Sequence, residues 1–213
     1  MTVALPSENK WIGVLFLFYF FGTIGIAVPD LRPFFLPLTP VNLVLTTFIF
    51  FKVNQDFTKR FLVLSAIIFL IGYTVEAVGV NTGVLFGNYW YGTCFGFKIF
   101  KTPVLIGANW LFLSFATHGV VQYLTKNRFL LVCIPALMMT VLDYFIEPVA
   151  MKLGFWHWAD DTVPVQNYIM WLLVGLVIHS LISYFNPKIN TKVSFAIVLV
   201  QFAFFITLFI FCT

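Results

Sequence analysis

Charged residues are scarce in this chain: 9% of its 213 residues are Asp, Glu, Lys or Arg, against 61% hydrophobic and 20% aromatic. Soluble domains carry roughly 25% charged residues, so a soluble globular reading is excluded, and with it a disordered chain or a collagen-like fibre. The three cysteines, Cys94, Cys133 and Cys212, make no CxxC pair, and two of them fall inside apolar runs. Neither a metal knuckle nor a disulfide framework is signalled. The three histidines, His118, His157 and His179, are too few and too scattered for the His-rich boxes of membrane di-iron oxygenases, and no HxxxH spacing occurs. Glycine-rich phosphate cradles of the GxGxxG or GxxxxGK[ST] type are missing as well. Lys plus Arg exceed Asp plus Glu by four, an excess that orients loops rather than binding nucleic acid. No metal, no cofactor and no nucleic-acid partner is expected, and any chemistry must use side chains and water.

What the chain has instead is apolar runs, at about 11–28, 38–53, 61–80, 103–124, 129–151, 165–185 and 193–212. Roughly 20 apolar residues cross a bilayer core. The expectation is an all-α polytopic membrane protein of about seven transmembrane helices, forming one integral membrane domain over 1–213. The first run lacks a clear A-x-A cleavage site and is longer than a secretory h-region, so it is expected to remain as a span. The lead-in to the second run, with Pro29, Pro33, Pro37 and Pro40, reads as an interfacial loop because each proline removes a donor and disfavours helix before it. Counted on alternating sides, eight basic residues fall on the side of the N-terminal tail and four on the other. The positive-inside rule then predicts a cytoplasmic N-terminus in a prokaryotic inner membrane.

Five of the eight carboxylates sit in tails or loops, but Glu76, Asp143 and Glu147 lie within the third and fifth runs. An ionisable group at membrane depth costs roughly 2.5–3.5 kcal/mol on insertion scales, so it faces a protein interior or a wet cavity and marks function by default. Glu76 and Glu147 each lie four residues before the end of their run, about 6 Å below the rim at 1.5 Å per residue, and both runs cross in the same sense. Both glutamates therefore reach one leaflet. Asp143 and Glu147, spaced i, i+4, share a helix face, where two like charges in a poorly hydrated place favour keeping a proton on one of them. Runs three to six contain no Lys or Arg, which weakens the alternative that these acids only form ion pairs.

An internal repeat places the acids in register. Tyr73, Glu76, Val78 and Gly83 recur as Tyr144, Glu147, Val149 and Gly154, and Pro103-Val104 before Trp110 recurs as Pro164-Val165 before Trp171, with Asn109 and Asn167 nearby. Runs three and four would be a structural copy of runs five and six about an axis along the membrane normal, bringing Glu76 and Glu147 to opposite walls of one cavity. The intervening segments, Asn81–Gly92 and Gly154–Trp158, mix glycine with large aromatics and read as lids folded back over the cavity mouth. His157 reads as a solvated loop residue or a helper, and His118 and His179 as hydrogen-bonded interior residues.

These residues resemble the membrane-bound carotenoid 1,2-hydratases, a family that includes bisanhydrobacterioruberin hydratases and the C-1′ hydratases of monocyclic carotenoids. The resemblance rests on Glu76-x-x-Gly79-Val80-x-Thr82-Gly83-x-x-Phe86-Gly87-x-Tyr89-x-Tyr91, on Pro103 through Trp110, on Asp143-x-x-x-Glu147-Pro148, on Trp156-x-Trp158 and on Pro164-x-x-Asn167-Tyr168-x-x-Trp171. It covers roughly residues 70–175, and the flanking spans match only as apolar helix. It implies cofactor-free addition of water across the terminal C1=C2 double bond of a long polyene taken from the bilayer, giving a tertiary alcohol. Other carotenoid-pathway enzymes would be its partners.

The acids suit that chemistry, because protonating C2 of a trisubstituted alkene needs a neutral carboxylic acid in a dry site, a role expected of the Asp143 and Glu147 pair. The tertiary cation at C1 would rest on aromatic faces, worth up to roughly 2 kcal/mol per contact, with Tyr89, Tyr91, Trp110, Trp156 and Trp171 as candidates. Glu76 would orient and deprotonate the water, although acid and base could be exchanged. Tyr73, Gly83, Phe86, Asn109, Tyr144, Trp158 and Asn167 complete the expected substrate-binding set. Two rivals stand beside this reading. An end-group cyclase would share the protonation and the cation but quench it with an internal double bond. A small-solute or proton-coupled transporter also uses intramembrane acids, but its polar residues should open to both faces rather than crowd into one leaflet.

Overall fold

A computed structural model of the chain describes residues 7–213. Seven long helices form among the described residues: α1 (Ser7–Ala27), α3 (Thr39–Asn54), α4 (Lys59–Thr82), α5 (Leu105–Leu124), α6 (Arg128–Lys152), α7 (Val165–Phe185) and α8 (Thr191–Cys212). Six helical stretches are long and apolar enough to cross a membrane, which gives the expected all-α membrane protein. The seventh, α5, has the length but carries Asn109, Ser114, Thr117, His118 and Gln122. Its polarity follows from its place. It packs against α3, α4, α6, α7 and α8, so nearly every side chain from Ile106 to Val121 is buried by protein and needs no affinity for lipid.

Polar caps set the starts of the helices. Thr58 Oγ1 accepts from the Phe61 amide, Asn127 Oδ1 from the Phe129 and Leu130 amides, and Asn190 Oδ1 from the Val193 amide. The proline-rich lead-in differs from the expected loop. A short helix α2 (Arg32–Phe35) and a 3-10 turn (Leu36–Leu38) run into α3, and Pro33, Pro37 and Pro40 each stand in the first turn of their own segment. A first-turn amide has no intrahelical partner to lose, so three prolines segment this stretch without preventing helix.

Connections of three to five residues between α3 and α4, α5 and α6, and α7 and α8 leave these neighbours antiparallel on one side of the membrane. The longer connections, after α4 and after α6, lie together on the other side. Here β1 (Tyr89–Tyr91) pairs antiparallel with β4 (Trp156–Trp158), in the register Tyr89–Trp158, Trp90–His157 and Tyr91–Trp156. A second small hairpin, β2 (Lys98–Ile99) with β3 (Thr102–Pro103), fills the extra length of the first connection. The repeat read from sequence is visible in the backbone: Gly83 after α4 and Gly154 after α6 both turn the chain at φ +69°, a left-handed conformation that favours glycine.

Candidate active site

The pairing of β1 with β4 builds the site. Alternate residues of a strand point to opposite faces, so Tyr89, Tyr91, Trp156 and Trp158 turn toward the bundle while Trp90 and His157 face away, their tilted rings 5.9 Å apart. Each strand serves the acid of the helix that precedes it. Glu76 Oε2 accepts from the Tyr89 hydroxyl at 2.6 Å and the Tyr91 hydroxyl at 2.8 Å, and Oε1 accepts from Trp110 Nε1 at 3.1 Å. Glu147 Oε2 accepts from Trp156 Nε1 and Trp158 Nε1, both at 2.7 Å. Burial first, and the neighbouring Glu76 second, push the Tyr89 and Tyr91 phenols well above their ordinary range, so both remain O–H donors at neutral pH.

Asn167 on α7 links the remaining acid groups. Its Nδ2 donates to Asp143 Oδ2 at 2.7 Å and to Glu147 Oε1 at 3.2 Å, spending its two N–H bonds on the i, i+4 pair of α6. All three acids are buried. Five of their six oxygens accept hydrogen bonds. Asp143 Oδ1 is the exception, buried and with no partner among the described residues.

The three acids line a cavity of about 330 Å³, with Phe86, Tyr89, Tyr91, Asn109, Trp156, Trp158, Asn167 and Trp171 beside them. Tyr89 lies 4.9 Å from Trp158 and Tyr91 lies 5.9 Å from Trp156 between ring centroids, so the acids sit under an aromatic wall. On the far side the cavity runs along α1 to Leu17 and Phe21, residues that also face outward from the bundle. The lining therefore extends from the acids to the outward-facing apolar surface of α1.

Four residues expected at the substrate lie outside this lining. Tyr73 donates its hydroxyl to the Ile99 carbonyl at 2.8 Å, tying α4 to the β2–β3 hairpin. Tyr144 is exposed on the outer face of α6, tilted against Tyr168. Gly83 serves the turn after α4, where a Cβ would meet Asn88 Oδ1 at 2.1 Å. Trp110 stands behind Glu76, with its ring stacked on Trp171.

His118 and His179 come together away from the acids, their rings 5.6 Å apart and 14° from parallel. They are interior, as expected, but none of their four ring nitrogens has a hydrogen-bond partner among the described residues. Their separation of 61 residues equals that of Trp110 and Trp171, so they occupy equivalent repeat positions.

Attention to charged groups alone misses a neutral polar cluster formed by Tyr19 on α1, Asn42 and Thr46 on α3 and Gln201 on α8, of which Tyr19, Asn42 and Gln201 line the same cavity as the acids. The signal available in the sequence is the pair of amides, Asn42 and Gln201, inside otherwise apolar runs.

A profile of the family described as "Carotenoid biosynthesis protein" matches residues 39–213. The chain is also similar to the bisanhydrobacterioruberin hydratase of Haloarcula japonica, with 31% identity over 121 residues that cover 51% of this chain and 40% of the relative. The chain thus matches less than half of that relative's length. No solved structure matches the chain.

Proposed function

Because the chain belongs to the carotenoid biosynthesis protein family, we propose that it is a cofactor-independent hydratase acting on the terminal C1=C2 double bond of an acyclic carotenoid end. The observation that carries this reading is the unequal hydrogen bonding of three buried acids around one apolar cavity. Both Glu147 oxygens and both Glu76 oxygens receive N–H or O–H donors, an arrangement suited to carboxylates. Asp143 Oδ1, free of any donor, is the oxygen that can carry a proton toward an alkene.

In this mechanism Asp143 transfers its proton to C2, and the tertiary cation at C1 forms between the aromatic wall and the Glu76 and Glu147 carboxylates. Water attacks C1 and gives up a proton to Glu76, and return of that proton to Asp143 completes the net addition of one water. Tyr89, Tyr91, Trp156, Trp158 and Asn167 hold the carboxylates in place. A cavity near the small end of the ligand-pocket range holds an end group rather than a whole polyene. Extension of the lining along α1 lets the rest of the chain remain in lipid. The lid and acids belong to one leaflet, the extracytoplasmic one if the N-terminus is cytoplasmic in a prokaryotic inner membrane, where enzymes that make the polyene would supply substrate.

The test is expression in bacteria that accumulate lycopene or a monocyclic carotene, with pigments weighed after growth in ordinary and oxygen-18 water. The expected product has gained one water carrying the solvent label. An isomer of unchanged mass would replace hydration by cyclisation, and unaltered pigment beside well-expressed protein would overturn both.

A further inference from the structure

On the α1, α3 and α8 side of the cavity that the acids line, four polar groups are joined in one direction. Gln201 Nε2 donates to the Tyr19 hydroxyl at 2.7 Å, that hydroxyl lies 3.1 Å from Thr46 Oγ1, and Thr46 Oγ1 donates to Asn42 Oδ1 at 3.5 Å. Each hydroxyl has one hydrogen. Thr46 spends its own on Asn42, so Tyr19 donates to Thr46 and accepts from Gln201. The chain of bonds consumes one N–H of Gln201 and the carbonyl of Asn42. Asn42 also lies within hydrogen-bond reach of the Tyr19 hydroxyl, so among the described residues the cluster leaves the Gln201 carbonyl and at least one Asn42 N–H without a protein partner, on residues that both line the cavity.

Elsewhere along α1 and α8 that wall is built from Val14, Leu17, Phe21 and Phe204. A purely hydrocarbon ligand filling the cavity would strand an amide acceptor and an amide donor in a dry place, which costs more than leaving them in water. A hydroxyl satisfies both, since it donates through its hydrogen to the Gln201 carbonyl and accepts from Asn42 Nδ2. Gln201 is held in place for this task, because its amide nitrogen is fixed on the Tyr19 hydroxyl.

We infer that Gln201 and Asn42 form a hydroxyl-binding station in the cavity that the acids line, positioned by Tyr19 and Thr46. The inference rests on the proposed hydration in its choice of ligand: the hydroxyl is that of a water molecule kept for the cation, or that of an oxygenated polyene. The two sources predict different behaviour. A water station governs how the cation is quenched and is indifferent to substituents on the polyene. A station for a polyene hydroxyl governs affinity and distinguishes an oxygenated polyene from a hydrocarbon one.

The experiment compares purified wild type with Gln201→Leu, and with Asn42→Ala in case the first variant does not fold. Quenching of the cavity tryptophans reports binding of a hydrocarbon polyene and of the same polyene bearing a tertiary hydroxyl, and pigment analysis reports products. A polyene-hydroxyl station predicts about tenfold weaker binding of the hydroxylated compound alone. A water station predicts unchanged binding of both, with product shifted from alcohol toward cyclised or isomerised polyene. Equal weakening for both compounds, or wild-type binding together with wild-type products, overturns the inference. Should wild type make no alcohol from either compound, the hydration reading fails, and selective loss of the hydroxylated ligand still decides for the station and its absence against it.

Discussion

Trp110 and Trp171 stack with ring centroids 4.1 Å apart and planes 21° from parallel, although 61 residues separate them and each belongs to a different half of the repeat. Residues at matching positions of the sequence repeat thus meet face to face. The stack joins α5 to α7, and through Trp110 Nε1 it also fixes Glu76, so the meeting of the halves and the placing of an acid are one event. His118 and His179 repeat the relationship further along the same two helices.

Gly72 is the point where this arrangement has least room. A Cβ there would lie 2.4 Å from Trp110 Cβ, a side-chain atom close to the backbone that cannot swing away. Gly72→Ala is expected to cost about 1–3 kcal/mol by overpacking and to move Trp110 off Glu76. Thermal unfolding in detergent checks the first effect. The second should appear as a loss of activity exceeding that of a Gly13→Ala control, because Gly13 has open space around its Cβ position.

The acids give the sharpest functional expectation. Asp143→Asn removes the proposed proton donor while preserving the acceptor for Asn167, and Glu76→Gln and Glu147→Gln remove carboxylates that receive three donors each. Each substitution should lower hydrated product about 10²–10⁴-fold with protein still in the membrane. Pigment yield normalised to membrane-bound protein is the measurement, and wild-type yield from Asp143→Asn would remove Asp143 from the donor role.

Most of this frame was legible from hydropathy and three charges. Run lengths give the helices to within a few residues, because apolar length is dictated by the bilayer, and the matching spacing of Glu76 and Glu147 to their glycines corresponds to two like turns at Gly83 and Gly154. The proline-rich segment departs from the loop expected of it because a proline's effect depends on whether its amide falls in a first turn, which composition does not record. Tyr73 and Tyr144 share their spacing to Glu76 and Glu147 yet lie outside the cavity lining, because spacing marks equivalence and not direction. The Tyr19, Asn42 and Gln201 cluster stayed hidden because neutral polar residues barely lower the hydropathy of a span, and only packing of α1, α3 and α8 brings them together.

Asn167 distinguishes an electrostatic site from a merely packed one. Asn167→Ala deletes two N–H donors and should cost about 1–3 kcal/mol through the stranded Asp143 oxygen. Asn167→Asp keeps the shape but puts a third acid against Asp143 and Glu147, where no basic side chain compensates it. The aspartate variant is therefore expected to be the less stable of the two, despite being closer in shape to asparagine. Parallel unfolding curves decide this, and the reverse order would mean that volume dominates at this position.

Cys94 tests the side of the membrane on which the lid lies. It stands between β1 and β2, half-buried, while Cys212 is buried at the end of α8 and Cys133 lies within α6. With Cys133→Ala and Cys212→Ser in place, a membrane-impermeant maleimide should label Cys94 in intact cells if the N-terminus is cytoplasmic. Labelling only after permeabilisation would invert the topology. Burial raises the Cys94 thiol above its ordinary range, with nearby Lys98 opposing only in part, so little thiolate is present at pH 7. The rate should accordingly climb with pH, approaching about tenfold per unit while the thiol remains mostly protonated. A rate already level at pH 7 would show instead that the segment around Cys94 opens to water in the membrane-bound protein.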